Sequence, residues 1–435
     1  MSYTALIKWI LNRPFYLKKE VFALFDKMIY QKQSQFLLHY WNAHRCPYKS
    51  ILFYNYFGRI LFGAKEFIAL LSGGKIFKKS LKLDGFDKDI SVVVTKGHHD
   101  RLWPQSPFID IGGVEIEDAY FNKIKNSLDL AHKNFYDKLD KTKDWEVVSE
   151  KFQALLLDDT GNLKKDTLIN FRKNHSFESV IADTFKQVDT RESYTEGYLK
   201  GIDLVLEYHR TAQKVNKEIL ATLSESYAGN STCVHYRGQR LSEKLLFYAL
   251  ATQDIVENVP FSKEQRNVIL DIGTGYGALP AILKNYIPNS CHILIDLPEV
   301  IVFASYYVKY NFPDKKIALL EDIKEKMDDF DALTKEYDFI ILSAKVIEKI
   351  PMESIDLVVN TASLGFLSQE YLDYYIGHID RVLKQDGYLY SINKTNTCRW
   401  GVGMYEWELN KKYLTVLLEY NNRFSYPQWL GKKLN

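Results

Sequence analysis

The stretch NVILDIGTGYGALPAIL, residues 267–283, decides the fold of this chain. Its first half, Val268 to Ile272, is a short apolar run that ends in glycines, which is typical of a buried parallel strand and a tight turn. Gly273, Gly275 and Gly277 let the backbone turn sharply and leave no Cβ between the main chain and a ligand. The stretch then continues as a helix, so it predicts a strand, a ligand-binding turn and a helix.

Two acidic residues indicate which ligand this turn binds. Asp296 ends a second apolar run, 292–295, about 20 residues after the glycines, where a carboxylate can accept hydrogen bonds from a ribose diol. Asp271 stands two residues before Gly273. A carboxylate there repels the pyrophosphate of NAD but can pair with the ammonium of a methionine moiety. S-adenosylmethionine is therefore favoured, although Gly273-x-Gly275-x-x-Ala278 also fits the dinucleotide pattern G-x-G-x-x-G/A.

Length and composition set the outer limits. A chain of 435 residues is too long for one ordinary core and predicts two or three packing units. With 46% apolar and 26% charged residues, the whole chain can fold. The four cysteines lack zinc-site spacing, which disfavours a disulfide framework and favours a reducing cytoplasm. We find no secretory signal and no uninterrupted apolar run long enough for a transmembrane helix.

The N-terminal part of the chain is basic and aromatic. Residues 1–79 carry 13 Lys or Arg against 3 Asp or Glu. Their apolar residues recur at helical spacing, so residues 1–83 are predicted to form a helical unit. The favoured interpretation is a packed subdomain with solvated lysines; the alternative is peripheral contact with an anionic membrane surface. No nucleic-acid-binding motif is found, so no nucleic acid partner is expected.

Residues 84–228 are predicted to be mostly helical, after a strand at residues 90–95. The neighbouring His98 and His99 could ligate a metal, but further ligands at suitable spacing are missing, so no metal site is expected. Residues 229–435 are predicted to form the third segment, a Rossmann-like domain with its lead-in loop and helix. That loop carries His235, Arg237 and Gln239 before a helix that begins near Ser242, and such loops often close over the ligand of the domain they precede.

Two segments compete for the third strand of the sheet. Residues 316–320 end at Asp322, whereas residues 339–342 end at Ser343 and have cleaner apolar bounds. We favour the second, which makes 314–336 a largely helical insertion. If residues 316–320 are the third strand, Asp322 is expected to contact the adenine edge; if residues 339–342 are, Ser343 is expected to do so.

The later strands complete the pattern. Residues 355–359 form the fourth strand, and Asn360 and Ser363 follow it at the edge where ligands bind. A helix over 371–383, a stop at 385–387 and a strand over 388–392 come next, and residues 413–420 can add an antiparallel edge. Alternating strands and helices predict an α/β domain with a parallel sheet and right-handed crossovers.

Several of these segments together resemble a known family. D-I-G-T-G-Y-G and D-L-P-E, residues 271–277 and 296–299, resemble the first motif and the acidic loop of class I S-adenosylmethionine-dependent methyltransferases. With N-T-A-S, residues 360–363, and the strand GYLYSIN, they resemble a sugar O-methyltransferase family of bacterial surface-glycan clusters. The resemblance covers roughly residues 229–393 and implies S-adenosylmethionine as donor and a sugar hydroxyl as acceptor. The expected cofactor-binding residues are Asp271, Gly273, Thr274, Gly275, Gly277, Asp296, Leu297, Ser343 and Asn360, and the expected substrate-binding residues are Arg237, Gln239 and Ser363.

The catalytic base is a separate question. Many members of that family carry an acid shortly after the Ser of N-T-x-S, whereas here Leu364, Gly365 and Phe366 follow. His235 is the expected base because imidazole titrates near neutrality; Glu370 and Glu406 are its rivals. Two other functions stay open: an NAD-dependent oxidoreductase acting on a nucleotide sugar, and a non-catalytic scaffold of a glycan assembly complex. Any of the three is expected in the cytoplasm, at the inner face of the membrane if the basic N-terminal unit docks there.

Overall fold

The computed structural model describes residues 108–110, 113–135, 143–173, 177, 204, 207–208, 210–236, 238–394, 401–421 and 426–434. Nearly all of these residues belong to one compact unit, formed by Asp110–Lys186, Lys214–Cys233 and Arg237–Asn435. A second unit contains Val234–Tyr236. The strand expected at residues 90–95, the histidine pair and the basic N-terminal helices lie outside the described residues. The three-segment division of the chain stays a prediction.

The strands of the described part are numbered in chain order. They are β1 Phe108–Asp110, β2 Thr232–Tyr236, β3 Gln239–Leu241, β4 Asn267–Ile272, β5 Ser290–Asp296, β6 Ile317–Leu319, β7 Phe339–Ser343, β8 Ile355–Thr361, β9 Leu383–Ile392, β10 Tyr413–Asn421 and β11 Tyr426–Lys433.

Eight of the strands form one sheet in the order β10-β11-β9-β8-β4-β5-β7-β6. Every pair from β9 to β6 is parallel. β11 is antiparallel to β9 and to β10, so the last two strands close one side of the sheet as a hairpin. The predicted α/β, Rossmann-like fold of the C-terminal part is thereby confirmed, as is the antiparallel edge strand.

The helices connect these strands and precede them. They are α1 Asp118–Phe135, α2 Lys143–Leu156, α3 Lys165–Ile169, α4 Lys217–Thr222, α5 Glu243–Asn258, α6 Ala278–Tyr286, α7 Pro298–Asn311, α8 Leu320–Ile323, α9 Phe330–Glu336 and α10 Gln369–Val382. Short 3₁₀ helices occur at Ala344–Lys349, Leu364–Phe366, Met404–Glu406 and Leu409–Lys411.

Both faces of the parallel sheet are covered, which explains why its strands are apolar without alternation. Residues paired across neighbouring strands share a face, so Ile269, His292 and Phe339 lie on one side. Helices α1, α2 and α7 pack over the β5–β7–β6 half of that face. Helices α5 and α6 pack over its other half. The opposite face, including Ile293 and Leu342, lines a small apolar pocket together with residues of α9.

The structure contains both candidates for the third strand. β7 lies directly beside β5, as favoured from the sequence, and β6 lies beyond it at the sheet edge. The interpretation of residues 314–336 as largely helical is therefore incomplete, because β6 occupies Ile317–Leu319 within it. Three residues rich in apolar side chains are too short for period counting to separate strand from helix.

The segment Gln385–Gly387 differs from its predicted role as a helix stop. Helix α10 ends at Val382 and β9 begins at once with Leu383, so the segment lies inside the strand. Its register against β8 shifts between Ile355 and Leu357, and Asp386 has a left-handed φ of 61°. Asp and Gly tolerate such a local irregularity, which accounts for the turn-like sequence.

No helix in the described part of the chain is long and apolar enough to cross a membrane.

One buried histidine makes stability depend on pH. His292 is 1% exposed, and neither of its ring nitrogens has a hydrogen-bond partner among the described residues. Its ring stacks on Phe339 with 5.5 Å between centroids. Burial lowers the pKa of His292 to about 3. The folded protein therefore keeps this imidazole neutral where the unfolded chain binds a proton.

We predict that replacing His292 by Leu reduces acid sensitivity. Below pH 6.5 the unfolded state gains a proton at this site, so the free energy of unfolding falls by up to about 1.4 kcal/mol per pH unit. His292→Leu removes this contribution. From pH 7 to pH 5, the free energy of unfolding of the variant should therefore fall by about 2 kcal/mol less than that of the wild type. Urea unfolding of both proteins at the two pH values measures the difference. If the free energies of unfolding of the two proteins differ by the same amount at pH 7 and at pH 5, His292 does not titrate on unfolding.

Candidate functional site

The carboxyl ends of four neighbouring parallel strands gather most of the predicted cofactor-binding residues. In the sheet register Ile272 pairs with Asn360, which places the turn after β4 beside the end of β8. Asp296 pairs with Ser343, at the ends of β5 and β7. Ligands of open parallel sheets bind outside this edge, where the strand order reverses. The structure therefore brings residues from four separated stretches of sequence to one edge.

The glycine turn has the conformation that its sequence predicts. Gly273, Gly275 and Gly277 have φ angles of 73°, 59° and 84°, all in the left-handed region that side chains rarely adopt. Gly277 is the N-cap of α6, and its amide donates to the Thr274 carbonyl at 3.1 Å. The backbone therefore turns tightly from β4 into the start of a helix, where free amides favour polar or anionic groups.

Asp271 is a buried carboxylate with spare hydrogen-bonding capacity. It is 3% exposed, and one oxygen accepts a hydrogen bond from the Thr274 hydroxyl at 3.0 Å. The other oxygen, Oδ1, has no partner among the described residues. Burial raises the pKa of Asp271 to about 7; the Thr274 hydroxyl opposes the rise and the Asp296 carboxylate adds to it. A buried charge of this kind is costly unless a ligand supplies the missing donor.

Asp296 joins the glycine turn to the end of β5. Its Oδ2 accepts a hydrogen bond from the Gly275 amide at 2.8 Å, and its Oδ1 accepts one from the Leu297 amide at 2.7 Å. Burial raises the pKa of Asp296 to about 7, against the effect of these two amides. An ionised carboxylate has about four acceptor positions, so this group can also bind hydroxyl donors of a ligand.

The D-L-P-E segment contains a second acid with a different environment. Glu299 is fully buried in the first turn of α7. Its Oε1 lies 3.0 Å from Nε2 of His132 on α1 and accepts a hydrogen bond from Gln153 on α2 at 2.6 Å. Glu299 therefore ties the segment that carries Asp296 to the two helices that cover this half of the sheet.

Ser343 is the polar residue at the end of β7. It is fully buried, and its hydroxyl has no partner among the described residues. Asp322, the competing candidate, accepts from the Leu319 amide at 2.7 Å and pairs with Lys123 of α1 at 2.8 Å. The position next to Asp296 thus belongs to Ser343, because β7 is the strand that neighbours β5.

Asn360 and Ser363 form contacts within the protein. The Asn360 amide donates to the Ile272 carbonyl at 2.6 Å and to the Ser363 hydroxyl. Its carbonyl accepts from the Leu364 amide at 3.3 Å and from Asn393 at 2.7 Å. These four bonds use the whole capacity of the amide group. The geometry gives Asn360 a bracing role below the glycine turn, and its contact with a cofactor stays a prediction.

Asn393 was not among the predicted site residues. Besides Asn360, its amide donates to the Ser391 hydroxyl at 2.8 Å, and its carbonyl accepts from the Gly365 amide at 2.9 Å. It therefore links the end of β9 to the loop after β8. A polar residue directly after an apolar strand was the available signal, but its partners are distant in sequence.

The structure describes only some of the residues that were predicted to contact the substrate. The expectation of a lead-in loop from residue 229 up to the helix is wrong in part, because β2 and β3 occupy most of that segment. His235 lies within β2; its side chain and the whole of Arg237 lie outside the described residues. Gln239 donates to the carbonyls of Leu220 and Ala221 at 2.5 and 3.4 Å, so it caps the end of α4. The rival bases, Glu370 and Glu406, are both exposed.

The described part of the chain contains no group of three or more His, Cys, Asp or Glu side chains placed to hold a metal ion.

No family model matches this sequence. No curated protein matches it either. Solved structures resemble part of the chain. The N-methyltransferase NodS from Bradyrhizobium japonicum WM9, in complex with S-adenosyl-L-homocysteine, is 14% identical, with 53% of this chain and 99% of that chain covered and a TM-score of 0.30.

Two further solved structures are similar to the same degree. A SAM-dependent methyltransferase from Aquifex aeolicus is 16% identical, with 42% of this chain and 89% of that chain covered and a TM-score of 0.28. A protein from Pyrococcus horikoshii OT3 is 13% identical, with 40% and 84% covered and a TM-score of 0.28.

We predict that a side chain at position 273 displaces the turn. Gly273 has a left-handed φ, and a Cβ there would overlap the Ser363 side chain. Gly273→Ala should therefore lower the free energy of unfolding by more than the roughly 1–3 kcal/mol that backbone strain alone costs. Adding Ser363→Gly should recover the free energy of unfolding that is lost through the steric overlap, but not the part that is lost through backbone strain at position 273. Urea unfolding of the two single variants and the double variant measures this coupling; additive losses would contradict the close packing.

Proposed function

We propose that this chain is an S-adenosylmethionine-dependent methyltransferase. The observation that carries the proposal is the unpartnered Oδ1 of Asp271, a buried carboxylate oxygen directly before the glycine turn. A buried carboxylate is stabilised by a cationic donor, and the ammonium of the methionine part is such a donor. The pyrophosphate of NAD is anionic and would be repelled at the same place.

The neighbouring residues fit the remainder of this ligand. Asp296 has acceptor positions left for a ribose diol, and the Ser343 hydroxyl beside it is free to bond within the described part of the structure. When bound, S-adenosylmethionine supplies a methyl group made electrophilic by its sulfonium. The residues of the chain have to orient the acceptor, exclude water and remove the acceptor proton.

The acceptor is proposed to be a sugar hydroxyl of a surface glycan or its precursor. This part rests on the resemblance of the D-L-P-E and N-T-A-S segments to sugar O-methyltransferases. A sugar hydroxyl is weakly acidic, so a general base is needed. His235 is the proposed base, and its role is testable by substitution with Gln, which should lower kcat while leaving cofactor affinity unchanged.

Ligand binding tests the proposal first. S-adenosyl-L-homocysteine at 100 times its Kd should raise the free energy of unfolding by about 2.7 kcal/mol, whereas NAD should have no effect. Mass spectrometry of surface glycans from cells with and without the protein then tests the acceptor, with the loss of one methyl group expected. Stabilisation by NAD and not by S-adenosyl-L-homocysteine would overturn the proposal.

We predict that Asp271→Asn has opposite effects on stability and on binding. The folded-state pKa of Asp271 lies above its unfolded value, so at pH 8 the buried charge costs the folded state at most about 4 kcal/mol. The variant should be more stable than the wild type at pH 8 and should lose affinity for S-adenosyl-L-homocysteine. Thermal unfolding and calorimetric titration measure the two quantities.

Asp254→Asn is a matched control for this variant. Burial also raises the pKa of Asp254 to about 7, but this carboxylate accepts hydrogen bonds from Tyr390 and Gln428 on the sheet, not from the glycine turn. The control should be as stable as the wild type or more stable, and should bind the ligand normally. Equal loss of affinity in both variants would remove Asp271 from the binding site.

The pH dependence of binding provides a further prediction. Asp271 and Asp296 both have a raised pKa of about 7, and only the ionised form of Asp271 pairs with an ammonium. Affinity for S-adenosyl-L-homocysteine should therefore fall as the pH drops below 7, by up to about tenfold per pH unit for each group that must ionise. Titrations between pH 5.5 and 8.5 measure this trend. A Kd independent of pH across this range would contradict it.

A further inference from the structure

A buried ion pair lies behind the glycine turn. Arg172, in the turn after α3, is fully buried, and its guanidinium donates to the carboxylate of Glu225, which is 1% exposed. The other oxygen of Glu225 accepts a hydrogen bond at 2.7 Å from Ser242, whose side chain caps α5. The pair therefore links three segments that are far apart in the chain.

The same guanidinium contacts the glycine turn through an aromatic ring. Its Cζ lies 4.8 Å from the ring centroid of Tyr276, the residue between Gly275 and Gly277. Tyr276 is 1% exposed, so this cation–π contact is shielded from water and stronger than one at the surface. The Lys244 ammonium lies 5.4 Å from the same ring centroid. The Tyr276 side chain is thus contacted by two cationic groups, Arg172 and Lys244, that lie outside the segment formed by β4, the glycine turn and α6.

A buried ion pair is weak evidence for a contribution to stability. A buried ion pair loses hydration on both sides, and replacing one by apolar residues of similar volume is often neutral or stabilising. The planar guanidinium, however, fixes its direction by pairing with a carboxylate and can then lie against an aromatic ring. Glu225 pairs with Arg172, and the Arg172 guanidinium lies against the Tyr276 ring, which also packs on the rings of Phe171 and Tyr307.

The turn is held from two sides. The Gly275 amide is fixed by Asp296 at the end of β5, and the neighbouring Tyr276 ring is fixed by Arg172. Loss of the second contact would give a turn with three left-handed glycines within five residues more freedom to take other conformations. The cost of ordering the turn would then be paid at each binding event and would lower affinity.

We propose that Arg172 is a positioning residue for the cofactor turn, and that it acts through Tyr276. Arg172 holds the turn in the conformation that receives the ligand, through its contact with the Tyr276 ring. The consequence for ligand affinity rests on the proposed function; the consequence for the order of the turn does not.

The test replaces the ion pair by apolar side chains in one step. Arg172→Met with Glu225→Met removes both charges together, so no single charge is left buried. We expect the double variant to fold, its amides at residues 274–277 to exchange with deuterium faster, and its affinity for S-adenosyl-L-homocysteine to fall about tenfold or more. Exchange is measured on the ligand-free protein and affinity by calorimetry, both well below the melting temperature.

Three variants separate positioning from a general loss of packing. Tyr276→Phe keeps the ring and removes a hydroxyl that has no partner among the described residues, so it should behave as the wild type. Tyr276→Leu removes the ring and should match the double variant. Lys284→Met with Asp338→Leu removes another ion pair, whose charged atoms are 2.8 Å apart. Asp338 directly precedes β7, so this pair lies at the amino ends of the parallel strands, away from the glycine turn. It should change the melting temperature and leave turn exchange and affinity unchanged.

The outcomes are distinguishable. Wild-type exchange and affinity in the double variant R172M/E225M would overturn the proposal, as would equal effects in the Lys284 and Asp338 control. If R172M/E225M does not fold, the single variant Arg172→Lys keeps the charge but not the planar stacking and should show the same faster exchange. If the wild type binds no S-adenosyl-L-homocysteine, the proposed function fails, and turn exchange alone decides the role of Arg172.

Discussion

The hydrogen bond from the Gly275 amide to the Asp296 carboxylate is the contact on which the candidate site depends. It joins the turn after β4 to the end of β5, so the two acids of the site keep a fixed relation. From the other side, Asn360 holds the Ile272 carbonyl at the start of the same turn. These two hydrogen bonds connect the carboxyl ends of the neighbouring parallel strands β8, β4 and β5. The polar groups of the site are therefore positioned by the sheet.

The helices before the sheet belong to the same core. Residues of α1 and α2 pack with α7 in one apolar cluster over β5, β7 and β6. Glu299 adds a polar link to His132 and Gln153 at the start of α7. The buried residues Leu297 and Glu299, directly after Asp296, therefore connect the candidate site to α1 and α2.

Local sequence rules predicted the centre of the fold well. The strand at Asn267–Ile272, the glycine turn and the helix at Ala278–Tyr286 follow from patterns within one stretch, since apolar runs and glycines act on their immediate neighbours. The contacts that brace the turn did not follow. Asn360 reaches the Ile272 carbonyl across 88 residues, and no local pattern marks an Asn for such a role. The partner of Arg172, Glu225, is 53 residues away, and no local pattern connects the two.

The unpartnered oxygen of Asp271 also links ligand uptake to proton exchange with the solvent. A carboxyl group with a pKa of about 7 is about half protonated in neutral buffer. When a cation pairs with it, the bound proton is released, and the buffer takes it up. The heat of binding will therefore vary with the ionisation enthalpy of the buffer, so that titrations in phosphate and in Tris count the protons set free at Asp271 together with any from Asp296, whose pKa is raised to the same value.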